Sequence, residues 1–309
     1  MGKKIVVFGS YVVDLTGRTP RLPVAGETVK GTSFKLGPGG KGSNQAVACK
    51  RAGGDVTMVT KLGDDTFGRF ALDFYKNEGM NTDYIIIDKE KETGCALICV
   101  DEVTGQNQIV VISGSCANIN DDDIAGAREL IESADIMLTQ LEINFDALYK
   151  GIDIAYEKGV RIIMNTAPAA ELPDEVYKKL WLVTPNETEA QFLTGITVDG
   201  PESASKAARV LLDKGVKNVI ITLGSMGAYV TDGVKEEMIP SIKVDVIDTT
   251  GAGDAFNGGL AKALADGLDL FTAARYANVT GALSVTKIGT APAMPQQEEI
   301  EKSFKENYG

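Results

Sequence analysis

Short apolar runs alternate with amphipathic stretches along most of this chain of 309 residues. The short runs predict buried strands, and apolar residues spaced three or four apart in the longer stretches predict helices. Such alternation implies a mostly parallel sheet with helices on both faces. The predicted strands are 4–9, 56–61, 136–139, 161–165, 181–184 and 218–223, and the predicted helices are 41–52, 67–78, 122–132, 145–158, 187–193, 202–214 and 298–305, with two more following residue 254.

Two segments interrupt the alternation and show no helical pattern, residues 11–36 and 95–112. The first carries short strands with expected turns at 16–20 and 24–26, and the second is a strand pair that turns near 103–106. We expect these strands to form a small separate sheet laid over the main one. The glycine-rich residues 37–40 would lead from that sheet back into the core. The fold class is therefore α/β.

Composition excludes several classes of function. A balance of 31 basic against 43 acidic residues gives a net charge of −12, which disfavours nucleic acid and anionic membranes as partners. Histidine is absent, so serine–histidine and cysteine–histidine catalysis and histidine-ligated metals are excluded. The four cysteines contain no CxxC pair. Without an apolar run near the ~20 residues that span a bilayer, or a signal peptide, we expect a cytoplasmic protein.

A glycine-rich turn at 248–254 is the most informative motif. It lies between an alternating run, 242–247, that predicts a strand and a helical pattern that begins near Ala255. Unpaired amides at a helix start, with the positive end of the helix dipole, form a site for an anion. Because Asp254 would repel a resident phosphate, the turn favours a phosphoryl group in transit, with Asp254 as base toward a hydroxyl. The alternative is that Asp254 only caps the helix.

A second glycine-rich segment, residues 39–45, opens a predicted helix. Its glycines allow a ligand to approach the backbone closely, and Lys41 and Asn44 place hydrogen-bond donors in the first helical turn. The spacing differs from the GxxxxGK[ST] of a phosphate loop, and the donors suit hydroxyl groups better. The alternative is a glycine hinge in which Ser43 or Asn44 caps the helix.

Acids and hydroxyls also follow other predicted strands. The two acids and the amide of 184–189 suit a hydrated Mg²⁺, although ordinary helix capping would use the same residues. The glycines and hydroxyls of 221–227 would hold the phosphates of a nucleotide, or merely turn a hairpin. Asp14 and Glu142 each follow a strand, where a carboxylate either accepts paired sugar hydroxyls or is solvated.

Taken in order, these motifs resemble the ribokinase family of ATP-dependent sugar kinases, within the phosphofructokinase-B superfamily. The glycine–lysine–glycine–x–asparagine segment and the GAGD turn are the paired signatures of that family. The resemblance implies a Rossmann-like α/β sandwich over residues 1–309, with a β-sheet lid drawn from 11–36 and 95–112. It also implies a homodimer joined through the lids. The matching segments are 23–31, 39–48, 140–142, 167–169, 184–189, 221–227 and 248–258.

The same resemblance implies ATP, Mg²⁺ and K⁺ as cofactors and a role for individual residues. Asp254 would be the catalytic base, and the anion hole would use the amides of Gly251, Ala252 and Gly253. The sugar would contact Asp14, Gly40, Lys41, Gly42, Asn44 and Glu142, with Val12 beside them. ATP would contact Asn186, Thr222, Leu223, Gly224, Ser225, Met226, Gly227, Gly253 and Asn278. Mg²⁺ would be held by Asn186 and Glu189, largely through water, and the monovalent cation by Asp248, Thr250, Ser284, Lys287 and Gly289, with Ala293 where a serine often stands.

One residue departs from the family pattern within the implied sugar site. Val12 stands where the family has an asparagine, two residues before Asp14. Valine neither donates to nor accepts from a hydroxyl, and a buried hydroxyl without its partner costs about 1–3 kcal/mol. This favours a substrate that lacks a hydroxyl there, as 2-deoxyribose does, or one that presents a different ring.

The activity expected on these grounds is transfer of the γ-phosphoryl of ATP to the terminal hydroxymethyl of a small sugar. D-Ribose is the first candidate from the whole-chain resemblance, 2-deoxy-D-ribose the second because of Val12, and a nucleoside the third. An alternative of another class is a sugar sensor that kept the fold and lost turnover. Retention of Asp254 and of the glycines before it argues against that alternative.

Overall fold

The computed structural model describes residues 3–309, which form two sheets and ten helices within that range. The strands are β1 (Lys4–Phe8), β2 (Val12–Thr19), β3 (Ser33–Gly39), β4 (Asp55–Gly63), β5 (Ile85–Asp88), β6 (Thr93–Asp101), β7 (Asn107–Gly114), β8 (Ile136–Thr139), β9 (Arg161–Met164), β10 (Leu182–Val183), β11 (Asn218–Thr222), β12 (Gly227–Thr231) and β13 (Glu236–Pro240). The helices are α1 (Lys41–Arg51), α2 (Thr66–Asn77), α3 (Asp121–Glu132), α4 (Phe145–Glu157), α5 (Asp174–Tyr177), α6 (Glu187–Thr194), α7 (Pro201–Asp213), α8 (Ala252–Ala265), α9 (Leu270–Ser284) and α10 (Gln297–Tyr308).

The larger sheet contains nine strands in the order β13-β12-β11-β10-β9-β8-β1-β4-β5. The strands from β11 to β5 are parallel, and β12 and β13 extend one edge in antiparallel fashion. Strands covered on both faces have continuous apolar runs, and β8 is buried at every position. The carboxyl ends of the parallel strands therefore meet along one edge, where ligands of such sheets bind.

The smaller sheet has four strands in the order β3-β2-β6-β7. β2 runs antiparallel to β3 and parallel to β6, and β6 and β7 form a hairpin. Because β2 follows β1 closely and β3 leads directly into α1, this sheet is joined to the main sheet at its carboxyl edge. The predicted α/β class with a small second sheet is confirmed; we call the small sheet the lid.

Two local expectations are wrong. Residues 242–247 form no strand, because the main sheet already ends at β13 and offers this segment no partner. Val246 and Ile247 are exposed accordingly, so the alternation there does not reflect burial. Residues 16–20 do not turn either, since β2 continues to Thr19 between β3 and β6, and the chain reverses over 20–32.

Helices cover both faces of the main sheet, and the apolar core runs from β1 and β4 through β8–β11 to α8 and α9. Within residues 3–309, no helix combines the length and the apolar character needed to cross a membrane.

A pair of glycines sets how closely three helices pack. A Cβ atom on Gly258 of α8 would lie 2.5 Å from the Cβ of Ala48 and 2.6 Å from the carbonyl oxygen of Gln45, both on α1. A Cβ atom on Gly259 would lie 2.4 Å from the hydroxyl oxygen of Thr280 on α9. Gly258 lets α8 lie against the backbone of α1, and Gly259 makes room for the Thr280 side chain of α9, which brings the first turns of α1 and α8 together at the edge of the sheet.

We expect Gly258→Ala to push α8 away from α1 and to destabilise the fold by about 1–3 kcal/mol, because the added methyl group meets backbone. The control is Gly126→Ala on α3, where nothing lies within 4 Å of the added Cβ atom. That change should stabilise the protein by about 0.5–1 kcal/mol, since alanine favours a helix over glycine. Urea denaturation of both variants tests this, and equal stabilities would contradict the close packing.

Candidate active site

Polar side chains collect where the parallel strands end. Ser10 follows β1, Glu142 follows β8, Asn165 follows β9 and Thr184 follows β10. Because these strands are neighbours, their polar ends lie side by side, and the first turns of α1 and α8 close over them. The structure brings Asp14, Glu142, the 39–45 segment and Asp254 together at this edge.

Asp254 is the third residue of α8 and is buried, with 6% exposure. The helix N-cap is Gly251, so the capping alternative for Asp254 is wrong. Its carboxylate instead accepts hydrogen bonds from the Asn44 Nδ2 atom at 2.9 Å and from the Gln45 Nε2 atom at 3.0 Å. Asn44 also does not cap its own helix, whose N-cap is Gly40. Two amide donors from one helix thus hold a buried carboxylate on another.

One lysine, Lys41, partly offsets the negative charge of the acids around Asp254. Burial opposes the charge on Lys41, but the carboxylates of Asp254, Glu142 and Glu189 outweigh burial and raise the pKa of its ammonium group. Burial raises the pKa of Asp254, while the charge of Lys41 and the hydrogen bonds from Gln45 and Asn44 oppose the rise. A carboxyl group with a raised pKa and fixed geometry is suited to accept a proton from a hydroxyl.

A buried chain of amide hydrogen bonds supports Asp254 from behind, and sequence reasoning missed it. Gln45 donates to Asn165 at 3.1 Å as well as to Asp254, and accepts a hydrogen bond from Gln140 at 2.6 Å. Asn165 donates to the Thr184 carbonyl at 3.1 Å. The signal was the position of Gln45, one residue after Asn44 in the segment already singled out. The side chain of Gln45 could not be placed without knowing which strand ends lie beneath α1.

The Thr184 side chain continues the same network toward the glycine turn. Its hydroxyl donates to Asn257 at 2.7 Å, and Asn257 donates to the Gly253 carbonyl at 2.8 Å. Both groups belong to elements that meet at the carboxyl edge, namely the end of β10 and the second turn of α8. The first turn of α8 is therefore fixed to the sheet by side-chain hydrogen bonds as well as by packing.

The turn before Asp254 offers amides to an anion. Gly251 adopts a φ of 79°, which favours glycine, and a Cβ atom on Gly253 would meet nothing within 4 Å. The Ala252 amide already donates to the Thr249 carbonyl at 3.2 Å. Among residues 3–309, the amides of Gly251 and Gly253 have no acceptor. Of the three amides predicted for the anion hole, two are free and one is shared with the turn itself.

Two more carboxylates face this region. Glu142 accepts hydrogen bonds from the Ser10 hydroxyl at 2.5 Å and from the Lys41 amide at 2.9 Å. Asp14, on β2, lies against the backbone of Gly39 and has a hydroxyl neighbour in Thr290 at 3.4 Å. Burial raises the pKa of Asp14 to about 6, with the charges of Glu142 and Asp254 adding to the rise and the Thr290 hydrogen bond opposing it.

Backbone as well as side chains defines the space between these acids. A Cβ atom on Gly40 would lie 2.8 Å from the Val12 amide nitrogen, and one on Gly42 would lie 2.6 Å from the Ser10 amide nitrogen. Both glycines of the 39–45 segment are therefore required for α1 to begin so close to β1 and β2. The sequence predicted that this segment lets a ligand come close to the backbone. In the structure these glycines bring the segment close to the protein's own backbone, at residues 9–12.

Val12 is buried, with 6% exposure, yet it does not pack in the apolar core to which its neighbour Val13 belongs. Side chains alternate along a strand, so Val12 and Asp14 lie on the same face of β2. This face carries the Asp14 carboxylate. Because Val12 can neither donate nor accept a hydrogen bond, fewer hydroxyl groups of a ligand would find a partner on this face.

Asn186 and Glu189 form a capping box at the start of α6. The Glu189 carboxylate accepts from the Asn186 amide nitrogen at 3.0 Å and from its Nδ2 atom at 2.9 Å, and Asn186 accepts from the Glu189 amide at 2.9 Å. Ordinary helix capping, the alternative considered for residues 184–189, is therefore present. Burial raises the pKa of Glu189, opposed by the Asn186 hydrogen bond and the charge of Lys41. Within the described residues, no three acids or cysteines cluster to hold a metal ion.

The predicted nucleotide segment forms a hairpin. Thr222 ends β11, Gly224–Met226 make one turn of 3-10 helix, and Gly227 begins β12; Leu223 beneath them is buried. The turn itself is exposed, beside α6, so its surface is open to a ligand. Asn278, on α9, uses its Nδ2 atom to donate to the Pro240 carbonyl at 2.8 Å. Asn278 therefore fixes the end of β13 next to this hairpin.

The residues predicted for a monovalent cation come from two loops that Asp248 joins. Its carboxylate accepts from the Thr250 amide and from the Gly289 amide, each at 3.0 Å. Ser284 donates its hydroxyl to the Gly281 carbonyl at 2.8 Å, and the Lys287 ammonium is paired with Glu299 at 2.9 Å. Ala293, in place of a serine, is buried in a turn of 3-10 helix. The loops lie together, with backbone carbonyls rather than these side chains left as possible ligands.

Comparisons with known proteins agree with this geometry. The model of the pfkB family carbohydrate kinases matches residues 2–297. The chain is 40% identical to a ribokinase of Bacillus subtilis over 97% of this chain and 99% of that protein. It is 36% identical to a deoxyribokinase of Salmonella typhi over 98% of this chain and 99% of that protein. The solved structure of Arabidopsis thaliana ribokinase with ribose and ATP superposes with a TM-score of 0.91 at 30% identity, covering 99% of both chains.

We expect Asp14→Asn to stabilise the protein at pH 8 by about 1–2 kcal/mol. The raised pKa of Asp14 means that the folded state binds its proton more tightly than the unfolded state. The ionised carboxylate therefore costs stability above pH 6, and this cost disappears as the pH falls toward the usual range. Denaturation at pH 8 and pH 4.5 should show a clearly larger gain at pH 8, because the cost builds up between the unfolded-state pKa and the raised folded-state pKa. The exposed Asp73→Asn on α2 is the control, and no gain for Asp14→Asn at pH 8 would refute the expectation.

Proposed function

The chain belongs to the pfkB family of carbohydrate kinases, and on that premise we propose that it transfers the γ-phosphoryl group of ATP to the terminal hydroxymethyl of D-ribose. That it is an ATP-dependent carbohydrate kinase follows from the family and from relatives near 40% identity over the whole chain. One observation carries the proposal furthest: a buried carboxylate, Asp254, is held beside two unpaired glycine amides and within reach of Lys41.

In the proposed reaction Asp254 takes the proton of the primary hydroxyl as the oxygen attacks the γ-phosphorus. A new oxygen–phosphorus bond forms and the bond to the β,γ-bridging oxygen breaks, so that ADP leaves with the electron pair. The amides of Gly251 and Gly253 stabilise the negative charge of the phosphoryl group in transit. Asn44 and Gln45 keep the carboxylate oriented, since each occupies one of its oxygens.

The sugar is proposed to lie between the lid and the first turn of α1. Asp14 and Glu142 would accept hydrogen bonds from ring hydroxyls, and Lys41 and Asn44 would donate to them. Gly40 and Gly42 let the backbone close around the ring without side chains in the way. Glu142 is already held by Ser10 and by the Lys41 amide, which leaves its other oxygen for the sugar.

ATP is proposed to lie over the hairpin between β11 and β12, with residues 222–227 beneath it and Asn186 and Asn278 at its sides. Asn186 and Glu189 would hold a hydrated Mg²⁺ through its water molecules, because each Glu189 carboxylate oxygen already accepts one hydrogen bond from Asn186 and keeps a lone pair for such a water. The loops joined by Asp248 suit K⁺ through the carbonyls of 248–250 and 284–289. A Mg²⁺ ion held there would supply positive charge to offset that of the transferred phosphoryl group. The enzyme would act in the cytoplasm.

2-Deoxy-D-ribose is the second candidate acceptor, and Val12 supports it. Val12 lies on the same strand face as Asp14, outside the main apolar core, where it has no polar group to offer a hydroxyl. A deoxyribokinase is among the relatives that match over the whole chain. D-Ribose remains the proposal because ribokinases match at higher identity.

The experiment is to measure kcat/KM for D-ribose and 2-deoxy-D-ribose with ATP and Mg²⁺, in wild type and in Val12→Asn. We expect phosphorylation of D-ribose by the wild type, and a shift of about tenfold toward ribose in the variant, because asparagine restores a hydrogen-bond partner. Repeating the assay with K⁺ replaced by tetramethylammonium should lower turnover if the Asp248 loops hold a cation.

Asp254→Asn is the control, and its kcat should fall by a factor of ~10²–10⁴ while sugar binding persists. Wild-type preference for 2-deoxyribose would replace the first candidate by the second. Binding of sugars without formation of ADP over a wider panel would support the sensor alternative instead. An unchanged sugar ratio in Val12→Asn would show that Val12 does not face the sugar.

We also propose that the lid joins two copies of the chain. Phe34, Leu97 and Val110 lie on one face of the lid, opposite Asp14, and are 68%, 45% and 58% exposed. An apolar face of this kind on a sheet of four strands is typical of an interface.

Sedimentation velocity should then give about twice the 32.8 kDa of the chain for the wild type and a monomer for Val110→Lys, because a charge in the interface is left unpaired. Val234→Lys is the matched control, since Val234 is 97% exposed in the turn between β12 and β13. A wild-type monomer at micromolar concentration would contradict the proposal.

A further inference from the structure

Thr290 lies where three parts of the site meet. Its hydroxyl oxygen is 3.1 Å from the Pro38 carbonyl oxygen on β3 and 3.4 Å from the Asp14 carboxylate on β2. On its other side, the Thr290 Cα atom would be 3.4 Å from a Cβ atom on Gly251. Thr290 therefore lies between the lid, a proposed sugar-binding acid and the turn that carries the proposed anion hole.

The backbone that carries Thr290 is anchored on both sides. The preceding residue, Gly289, donates its amide to Asp248 at 3.0 Å. After it, Arg51 of α1 donates to the carbonyls of Pro292 and Met294 at 3.2 Å and 2.9 Å. Arg51 is itself paired with Glu78 at 2.6 Å. Because these hydrogen bonds hold the turn in place, the Thr290 hydroxyl can fix the position of the carboxylate that accepts from it. A hydroxyl on a mobile loop would instead move with its acceptor.

Asp14 needs such a partner. The ionisable groups that act on it are acids, Glu142 from the loop after β8 and Asp254 from α8, together with the Tyr11 side chain, which precedes β2. Among residues 3–309 it makes no ion pair. Within that range the Thr290 hydroxyl is the one side-chain donor to this carboxylate, and it shares its single proton between Asp14 at 3.4 Å and the Pro38 carbonyl at 3.1 Å.

We propose that Thr290 is a positioning residue, which fixes the Asp14 carboxylate for the sugar and ties the lid strand β3 to the turn beside the anion hole. This inference rests on the proposed role of Asp14 in sugar binding. Because the Thr290 hydroxyl favours the ionised carboxylate, it also counteracts the burial and the two neighbouring acids that raise the pKa of Asp14.

The first test follows Asp14 itself, without substrate. Carbon-13 NMR of the aspartate carboxyl groups, with the Asp14 signal assigned from its loss in Asp14→Asn, gives the titration midpoint in saturating K⁺. Thr290→Val keeps the shape of the side chain and removes the hydroxyl, and should raise this midpoint by about half a pH unit or more. Thr290→Ser keeps the hydroxyl and should restore it. Thr272→Val, which removes a hydroxyl bonded to Asp269 at the start of α9, is the control and should leave it unchanged.

The second test is kinetic. In Thr290→Val we expect the KM for the sugar to rise about tenfold, with a smaller change in kcat, and the acid limb of kcat/KM to move upward with the Asp14 midpoint. A midpoint that does not move would overturn the inference, because the hydroxyl would then serve Pro38 alone. A midpoint that moves while KM stays the same would retain the Thr290–Asp14 bond and refute the place of Asp14 in the sugar site.

Discussion

Burial of the Asp254 carboxylate is the constraint on which the rest of the site depends. An ionised group removed from water is costly unless hydrogen bonds and an opposite charge compensate it. Asn44 and Gln45 supply the hydrogen bonds and Lys41 supplies the charge, all from the first turns of α1. The start of α1 must therefore lie against the start of α8, and the glycines of both helices make that approach possible. The close packing of the two helices and the positioning of the proposed base therefore have the same structural cause.

Much of the fold could be predicted from the sequence because its signals are local. Continuous apolar runs mark buried parallel strands such as β8, and amphipathic stretches mark the helices between them. The failure at 242–247 is also instructive, because alternation along a strand is recorded in a sequence while the presence of a neighbouring strand is not. The same limit applies to 16–20, which pairs on both sides and therefore does not turn.

In the site, residues that belong to a sequence motif could be predicted, whereas residues brought together only by the fold could not. Asp254 and Asn44 stand in glycine-rich segments whose backbone requirements leave a pattern. Gln45 was overlooked because its three partners come from strand ends and helices far apart in the chain, and only the order of the strands brings them together. Thr290 was overlooked for the same reason, since Asp14 lies 276 residues before it.

The acids of the proposed site are only partly compensated by positive charge, so a bound sugar could supply the missing hydrogen bonds. Lys41 is shared among Asp254, Glu142 and Glu189, so no acid is fully compensated, and the pKa values of Asp14, Asp254 and Glu189 are all raised. Sugar hydroxyls donate hydrogen bonds, and donors to a carboxylate favour its ionised form. A sugar that binds to Asp14 and approaches Asp254 would therefore lower the pKa of both groups and supply what the protein leaves unsatisfied. Without a ligand, burial and the charge of Glu142 raise the pKa of Asp254, and the hydroxyl that this proposed base would deprotonate supplies a donor that opposes the rise.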